Sequence, residues 1–211
     1  MWRHDQRAWT ALNEPTGSQL RIQSGNLSPD GAEVALLEAN TEYFCFLRTR
    51  DSHLLRDWRL SPDVLGCFAI SPDGKFVATG GSQIDRAVHL WDLPSCSQHE
   101  SLIGHTSAVA ALAFHPDGRM LASGSTDGTV RLWNLFSQQE TLVLPTCVHA
   151  PSQLAFSSDG RGLMVIGKNA DGLGRVCLWS VKPGVTPLVA PQVAAPKSSL
   201  STATARRAPV R

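Results

Sequence analysis

Apolar and polar positions in this chain alternate in short runs of strand length, and turn signals separate the runs. The clearest stretch is Leu102 to Asn134, LIGHTSAVAALAFHPDGRMLASGSTDGTVRLWN. Its three apolar runs, AVAALAF, RMLASGS and TVRLWN, are parted by Pro116-Asp117-Gly118 and by Thr126-Asp127-Gly128. Pro116 presets φ, each Asp can bond its own backbone, and each Gly accepts positive φ, so both triplets predict tight turns. The product is a three-stranded meander that is apolar on both faces. Such a sheet needs cover on each side.

The cover is more of the same pattern. Asp-Gly turns recur at Asp30, Asp73, Asp117 and Asp159, with spacings of 43, 44 and 42 residues. An apolar run precedes each, in NLSPDG, CFAISPDG, ALAFHPDG and QLAFSSDG. A later run ends in Trp in three of the four copies: VHLWD (88–92), VRLWN (130–134) and VCLWS (176–180). The first copy has YFCFL (43–47) at that place. A period of about 40–45 residues with four strands per unit predicts propeller blades.

Gly104-His105, the Pro-Asp-Gly turn, the Ser/Thr-Asp-Gly turn and Leu-Trp-Asp/Asn, in that order, resemble the WD-repeat β-propeller family from roughly Arg7 to Lys182. The resemblance implies an all-β fold of four antiparallel four-stranded repeats in d-a-b-c phasing. They fall at about residues 7–48, 53–92, 98–135 and 139–182 of a 1–182 domain. A chain phased this way is one outer strand short, which predicts an incomplete ring. The first d strand near Trp9 either clasps the fourth blade or belongs to a missing one, and Val185 to Ala190 competes for the same edge. Missing blades then come from a longer chain or from a second copy in a homodimer, because open blade faces mark interfaces.

The resemblance also assigns a structural tetrad, His105, Ser123, Asp127 and Trp133. A carboxylate orients the imidazole, the imidazole reaches the hydroxyl, and the hydroxyl meets the indole N–H, so buried donors find acceptors. The same types could spell a Ser/His/Asp catalytic set, but no oxyanion-hole motif accompanies them. The second unit keeps Thr79, Asp85 and Trp91, with Ser61 where the His would be. The fourth keeps Trp179, while Val165 replaces the Ser and an insertion displaces Asp171. Blade three is therefore expected to be the most robust.

Composition narrows the function. The chain has 211 residues, 42% of them hydrophobic, and a formal charge of +1, which gives no overall footprint for nucleic acid. The opening MWRHDQRAWTAL lacks the apolar core of a signal peptide, and the run from Ala108 to Phe114 is far too short to span a membrane. These features predict a cytoplasmic protein without membrane contact. Five scattered cysteines, an odd count without a CxxC pair, predict reduced thiols rather than a disulfide or zinc framework. No His-x-His, HExxH or Gly-rich phosphate loop is present, so no metal and no cofactor is expected. His115, standing where Ser71 and Ser157 stand, reads as an exposed polar residue. Residues 183–211, rich in Pro, Ala, Ser and Thr, carry only basic charges and read as a disordered tail. A basic arm for nucleic acid is the sharper alternative.

What remains is surface. In the family, partners dock on the face formed by the d–a and b–c loops, which here are Ser61 to Leu65, Gln83 to Arg86, Ser107, Thr126 and Lys168 to Gly174. Gln83, Ile84, Arg86, Ser107, Thr126, Asn169 and Leu173 are the candidate partner-binding residues, with Ile84 and Leu173 as exposed apolar anchors. The expectation is a non-catalytic scaffold that binds other proteins. Its alternatives are a segment of a larger signalling or regulatory protein, or a nucleic-acid-associated module using the basic tail.

Overall fold

A computed structural model describes residues 2–5, 8–11, 22–28, 30–38, 43–48, 54–59 and 64–180. Every regular element among them is a strand. β1 (Trp2–Asp5) and β2 (Ala8–Ala11) form a separate hairpin. The first blade holds β3 (Ile22–Leu27), β4 (Glu33–Glu38), β5 (Tyr43–Arg48) and β6 (Leu54–Arg59). The second holds β7 (Val64–Ile70), β8 (Phe76–Gly81), β9 (Val88–Asp92) and β10 (Ser97–Leu102). The third holds β11 (Val109–Phe114), β12 (Met120–Ser125), β13 (Thr129–Asn134) and β14 (Gln139–Pro145). The fourth holds β15 (Ala150–Phe156), β16 (Gly162–Lys168) and β17 (Gly174–Ser180). Each blade is an antiparallel meander, and the inner strands β3, β7, β11 and β15 stand in sequence as neighbours.

Local chemistry explains the turns. Ser71 Oγ donates to Asp73 Oδ1 at 2.6 Å and accepts from the Phe76 N–H at 2.9 Å, while Gly74 takes φ 69°. The turns at Ser28 and Ser157 repeat this geometry. His115 departs from the expected exposed position. It is 8% exposed, because its ring lies edge-on to Phe156 and its Nε2 reaches the Gly160 carbonyl at 3.1 Å, so it bridges the turns of blades three and four. A serine is too short to make that bridge.

Three apolar cores lie between successive blades. Val77, Phe46 and Trp91 meet between the first two, and Val88, Leu121 and Trp133 between the second and third. Val130, Leu154 and Val165 meet between the third and fourth. Strand β12, MLASGS, is buried at every position, as a strand covered on both faces must be. Hydrogen bonds from one repeat to the next key the blades together: Asn26 Nδ2 donates to the Phe68 carbonyl at 3.1 Å, and Cys67 Sγ to the Val109 carbonyl at 3.3 Å.

Register is regular in the β4–β5, β8–β9, β12–β13 and β16–β17 pairs, but each pair of an inner strand with its neighbour carries a register shift. So does each outer pair, β5–β6, β9–β10 and β13–β14.

Gly80 on β8 shows how closely blades two and three approach. A Cβ there would lie 2.7 Å from the Val109 carbonyl oxygen and against Cys67 Sγ. Gly80→Ala should therefore destabilise the chain by about 1–3 kcal/mol, because backbone of the next blade cannot retreat as a side chain can. The reading is a lower urea midpoint at constant m value. An unchanged midpoint would show that the two blades pack more loosely than this.

One expectation about the ring changes. The strand near Trp9 does not clasp the fourth blade: β2 pairs with β1, His4 opposite Trp9, and among the described residues β17 is paired on one side only. Pairing between strands close in sequence outweighs the long closure that a clasp requires. The predicted tail (183–211) and Ser61 lie outside the described residues.

Candidate functional site

The interior polar groups of blade three form a directed chain. Trp133 Nε1–H donates to Ser123 Oγ at 2.7 Å, and the Ser123 hydroxyl donates to His105 Nε2 at 2.7 Å. His105 Nδ1–H then donates to Asp127 Oδ2 at 2.8 Å. Asp127 also accepts from the Thr106 N–H at 3.0 Å and from the Thr129 N–H and hydroxyl at 2.9 and 2.6 Å. Four elements supply the parts: the d–a loop brings His105, β12 brings Ser123, the β12–β13 turn brings Asp127 and β13 brings Trp133.

The electrostatics follow from the burial. The His105 side chain is fully buried, and that desolvation pushes its pKa below the ordinary imidazole value, against the pull of Asp127. Burial pushes Asp127 up, but hydrogen bonds from Thr129, Thr106 and His105 outweigh it and hold the carboxyl at about 2. A neutral imidazole beside a charged carboxylate is the stable arrangement. Ser123 is wholly buried and both its neighbours occupy its oxygen, so this set can hold strands together but cannot reach a substrate.

In blade two the Trp91 Nε1–H donates to Thr79 Oγ1 at 2.8 Å. Asp85 does not take the role expected of it. It pairs instead with His89 Nε2, four residues on, whose Nδ1 lies 3.0 Å from Ser101 Oγ. His89 is a participant that the sequence reading passed over, since no metal or catalytic spacing marks it. Its only signal is positional: His89 faces Thr79 in register as Arg131 faces Ser123. In blade four Val165 is fully buried where Ser123 would be, so it offers Trp179 no acceptor, and Asp171 lies exposed in a loop.

The rim residues separate into two groups. Gln83, Ser107 and Thr126 come together: Ser107 Oγ donates to Gln83 Oε1 at 2.9 Å and lies 2.7 Å from Thr126 Oγ1. Arg86, at φ 60°, turns back so that its Nε donates to the Gln83 carbonyl at 2.9 Å, which leaves Ile84 81% exposed at the tip. Asn169 and Leu173 form a turn of their own. Asn169 Oδ1 accepts from the Asp171 and Leu173 N–H groups at 3.0 and 2.9 Å, and Leu173 is 61% exposed.

The expectation of reduced thiols is overturned at one pair: Cys147 and Cys177 form a disulfide, with Cα atoms 6.3 Å apart. Thirty residues separate them in sequence: Cys147 lies in the loop before β15 and Cys177 on β17, and the β15–β16 and β16–β17 pairings together bring them into contact. Among the described residues Cys67 and Cys96 are free. No helix of the described residues is long and apolar enough to cross a membrane.

Comparison with known proteins agrees with this geometry. The family model described as WD domain, G-beta repeat matches residues 52–92 and 96–134. Transducin beta-like protein 3 of Bos taurus is 35% identical over 170 residues, 76% of this chain and 20% of that protein. A U3 snoRNP-associated protein-like sequence of Arabidopsis thaliana is 36% identical over 93 residues, 44% of this chain and 19% of that protein. The chain thus spans about a fifth of these relatives. Among solved structures, that of U3-55K superposes with a TM-score of 0.62 at 25% identity, covering 78% of this chain and 50% of that one. Its repeats, its open row of blades and these relatives agree, and the chain belongs to the WD-repeat β-propeller family.

Proposed function

We propose that this chain is a non-catalytic scaffold whose four blades follow the repeat boundaries drawn above, with the third cemented by the His105–Ser123–Asp127–Trp133 set. Protein partners dock on the rim formed by Gln83, Ile84, Arg86, Ser107, Thr126, Asn169 and Leu173. One observation carries the reading: the Gln83–Ser107–Thr126 network joins the loops of two blades into a fixed platform under a protruding isoleucine. An exposed apolar side chain on a rigid base loses little entropy on docking, which is how an anchor gains affinity. Likeness to a U3 snoRNP-associated protein-like sequence supports a partner inside a ribonucleoprotein assembly, over the cytoplasmic setting expected from the sequence. A protein-to-protein contact is favoured because acidic Asp85 and Asp171 stand beside Arg86 and Lys168 in these loops, so they offer phosphates no basic surface.

Ile84→Asp and Leu173→Asp test this, with Phe136→Asp as control. Phe136 is 87% exposed in the β13–β14 turn, at the opposite ends of the strands. Crosslinking in cells followed by quantitative mass spectrometry should show recovery of partners falling about tenfold or more for the two rim variants. The Phe136 variant should match the wild type. Equal recovery from all three would remove the rim from the function.

A further inference from the structure

Blade four has lost the polar set that closes blade three, and something else stands in its place. Ser123 faces Arg131 across the β12–β13 pair, and Val165 faces Cys177 across β16–β17, so Val165 is the counterpart of Ser123 and Cys177 of Arg131. On the inner strand, Leu112 pairs with Ser123 as Leu154 pairs with Val165. Counting back seven residues from each reaches His105 in one blade and Cys147 in the other. The loop residue that hydrogen-bonds the sheet in blade three is thus a cysteine in blade four, and its partner is a cysteine on the adjoining strand.

We propose that Cys147 and Cys177 are a reversible redox pair, a modification site that clamps the d–a loop of blade four to β17 when oxidised and releases it when reduced. Three features favour reversibility over a permanent staple. Cys147 is exposed, so a soluble disulfide or thiol can reach its sulfur. Cys177 is half-buried, and its sulfur lies 3.0 Å from the Cys147 N–H and 3.6 Å from the Thr146 hydroxyl, two donors that stabilise a thiolate there. The strand it sits on is otherwise lightly held, with Val176 and Leu178 exposed and β17 paired on one side among the described residues.

The chemistry balances with a low-molecular-weight disulfide of the glutathione type as oxidant. The Cys147 thiolate attacks one sulfur of that disulfide, forms a mixed disulfide and expels one thiolate, which takes up a proton. The Cys177 thiolate then attacks the Cys147 sulfur, closing the intramolecular bond and expelling the second thiol. Two thiols are oxidised and one disulfide is reduced to two thiols; reduction by excess thiol runs the same steps backwards. Cys67 cannot compete, since burial pushes its thiol up to about 12 and leaves almost no thiolate near neutral pH.

The full chain is equilibrated in buffers of reduced and oxidised glutathione, quenched with acid and alkylated, and its cysteines are mapped by peptide mass spectrometry. Cys147 and Cys177 should pass together from alkylated to crosslinked as the buffer becomes oxidising, while Cys67 stays alkylated. In parallel, amide hydrogen exchange in β16 and β17 should slow tenfold or more on oxidation, with β11–β14 unchanged. Cys147→Ser should exchange like the reduced wild type in both buffers. Cys147 and Cys177 remaining alkylated at every poise, or remaining crosslinked at every poise, would overturn the proposal. So would a redox-dependent change that survives in Cys147→Ser, since another cysteine would then be responsible.

Discussion

Asp127→Ala is expected to cost about 3 kcal/mol of stability, because it strands the buried imidazole N–H of His105 and removes the acceptor shared by Thr106 and Thr129. The Asp127 side chain is 5% exposed. The variant should also change the response to acid. In the wild type the Asp127 carboxyl is held at about 2, below its ordinary 3.8. Its contribution is therefore full above pH 3.8 and is lost as pH falls towards 2. His105 acts in a window above that one. Its depressed pKa favours the neutral ring, so its contribution is complete above the ordinary 6.5 and declines as pH drops below it. Urea titrations at several pH values should show the wild type losing stability in both windows. Asp127→Ala should be nearly flat between pH 3.8 and 2 as far as this group is concerned. A variant with the wild-type midpoint at pH 7 would mean the carboxylate is not closing the blade.

Trp133→Ala should cost about 4 kcal/mol, the upper range for a buried aromatic, since the side chain is 2% exposed and fills the core shared by blades two and three. Trp133→Phe separates the two contributions of the indole. It keeps an aromatic ring in the core but loses one fused ring and the N–H that Ser123 accepts, so a smaller loss of about 1–3 kcal/mol is expected. The equivalent change in blade four, Trp179→Ala, should cost less than Trp133→Ala, because Trp179 is only partly buried and Val165 offers it no acceptor. Differential scanning calorimetry on the three variants orders them directly. Equal losses for Trp133→Ala and Trp179→Ala would show that the blades are stabilised alike despite their different interiors.

The difference between legible and illegible features is one of range. The turns at Ser71, Asp73 and Gly74 are set by bonds spanning two to five residues, so their chemistry is complete within the motif that announces it. The blade strands are legible because their alternating pattern and turn signals repeat within each copy, and the burial of β12 because the same copies supply its cover on both faces. Asp85 departs from its expected role because its partner is chosen by where the β8–β9 loop delivers it, which is against His89 on the strand that follows. His115 was misread because its burial depends on Phe156 and Gly160, which belong to another blade. Cys147 and Cys177 look like scattered thiols until the pairing of β15, β16 and β17 is known. The pairing of the strand near Trp9 was likewise a long-range choice between partners that the local pattern does not rank.

The alternation of regular and shifted strand pairs has a consequence for how the chain assembles. Near-identical repeats are prone to exchange strands, since a strand of one blade can bid for the partner of another. The regular pairs, β4–β5, β8–β9, β12–β13 and β16–β17, are each joined by a short connection and nucleate most readily as hairpins. The inner and outer strands then dock onto a ready template, and the bulge in each such pairing admits one alignment because a slip by one residue would turn apolar side chains to water. The bulges act as a proofreading device, and blade three, with its hairpin already carrying Ser123, Asp127 and Trp133, is the unit from which correct assembly should spread to its neighbours.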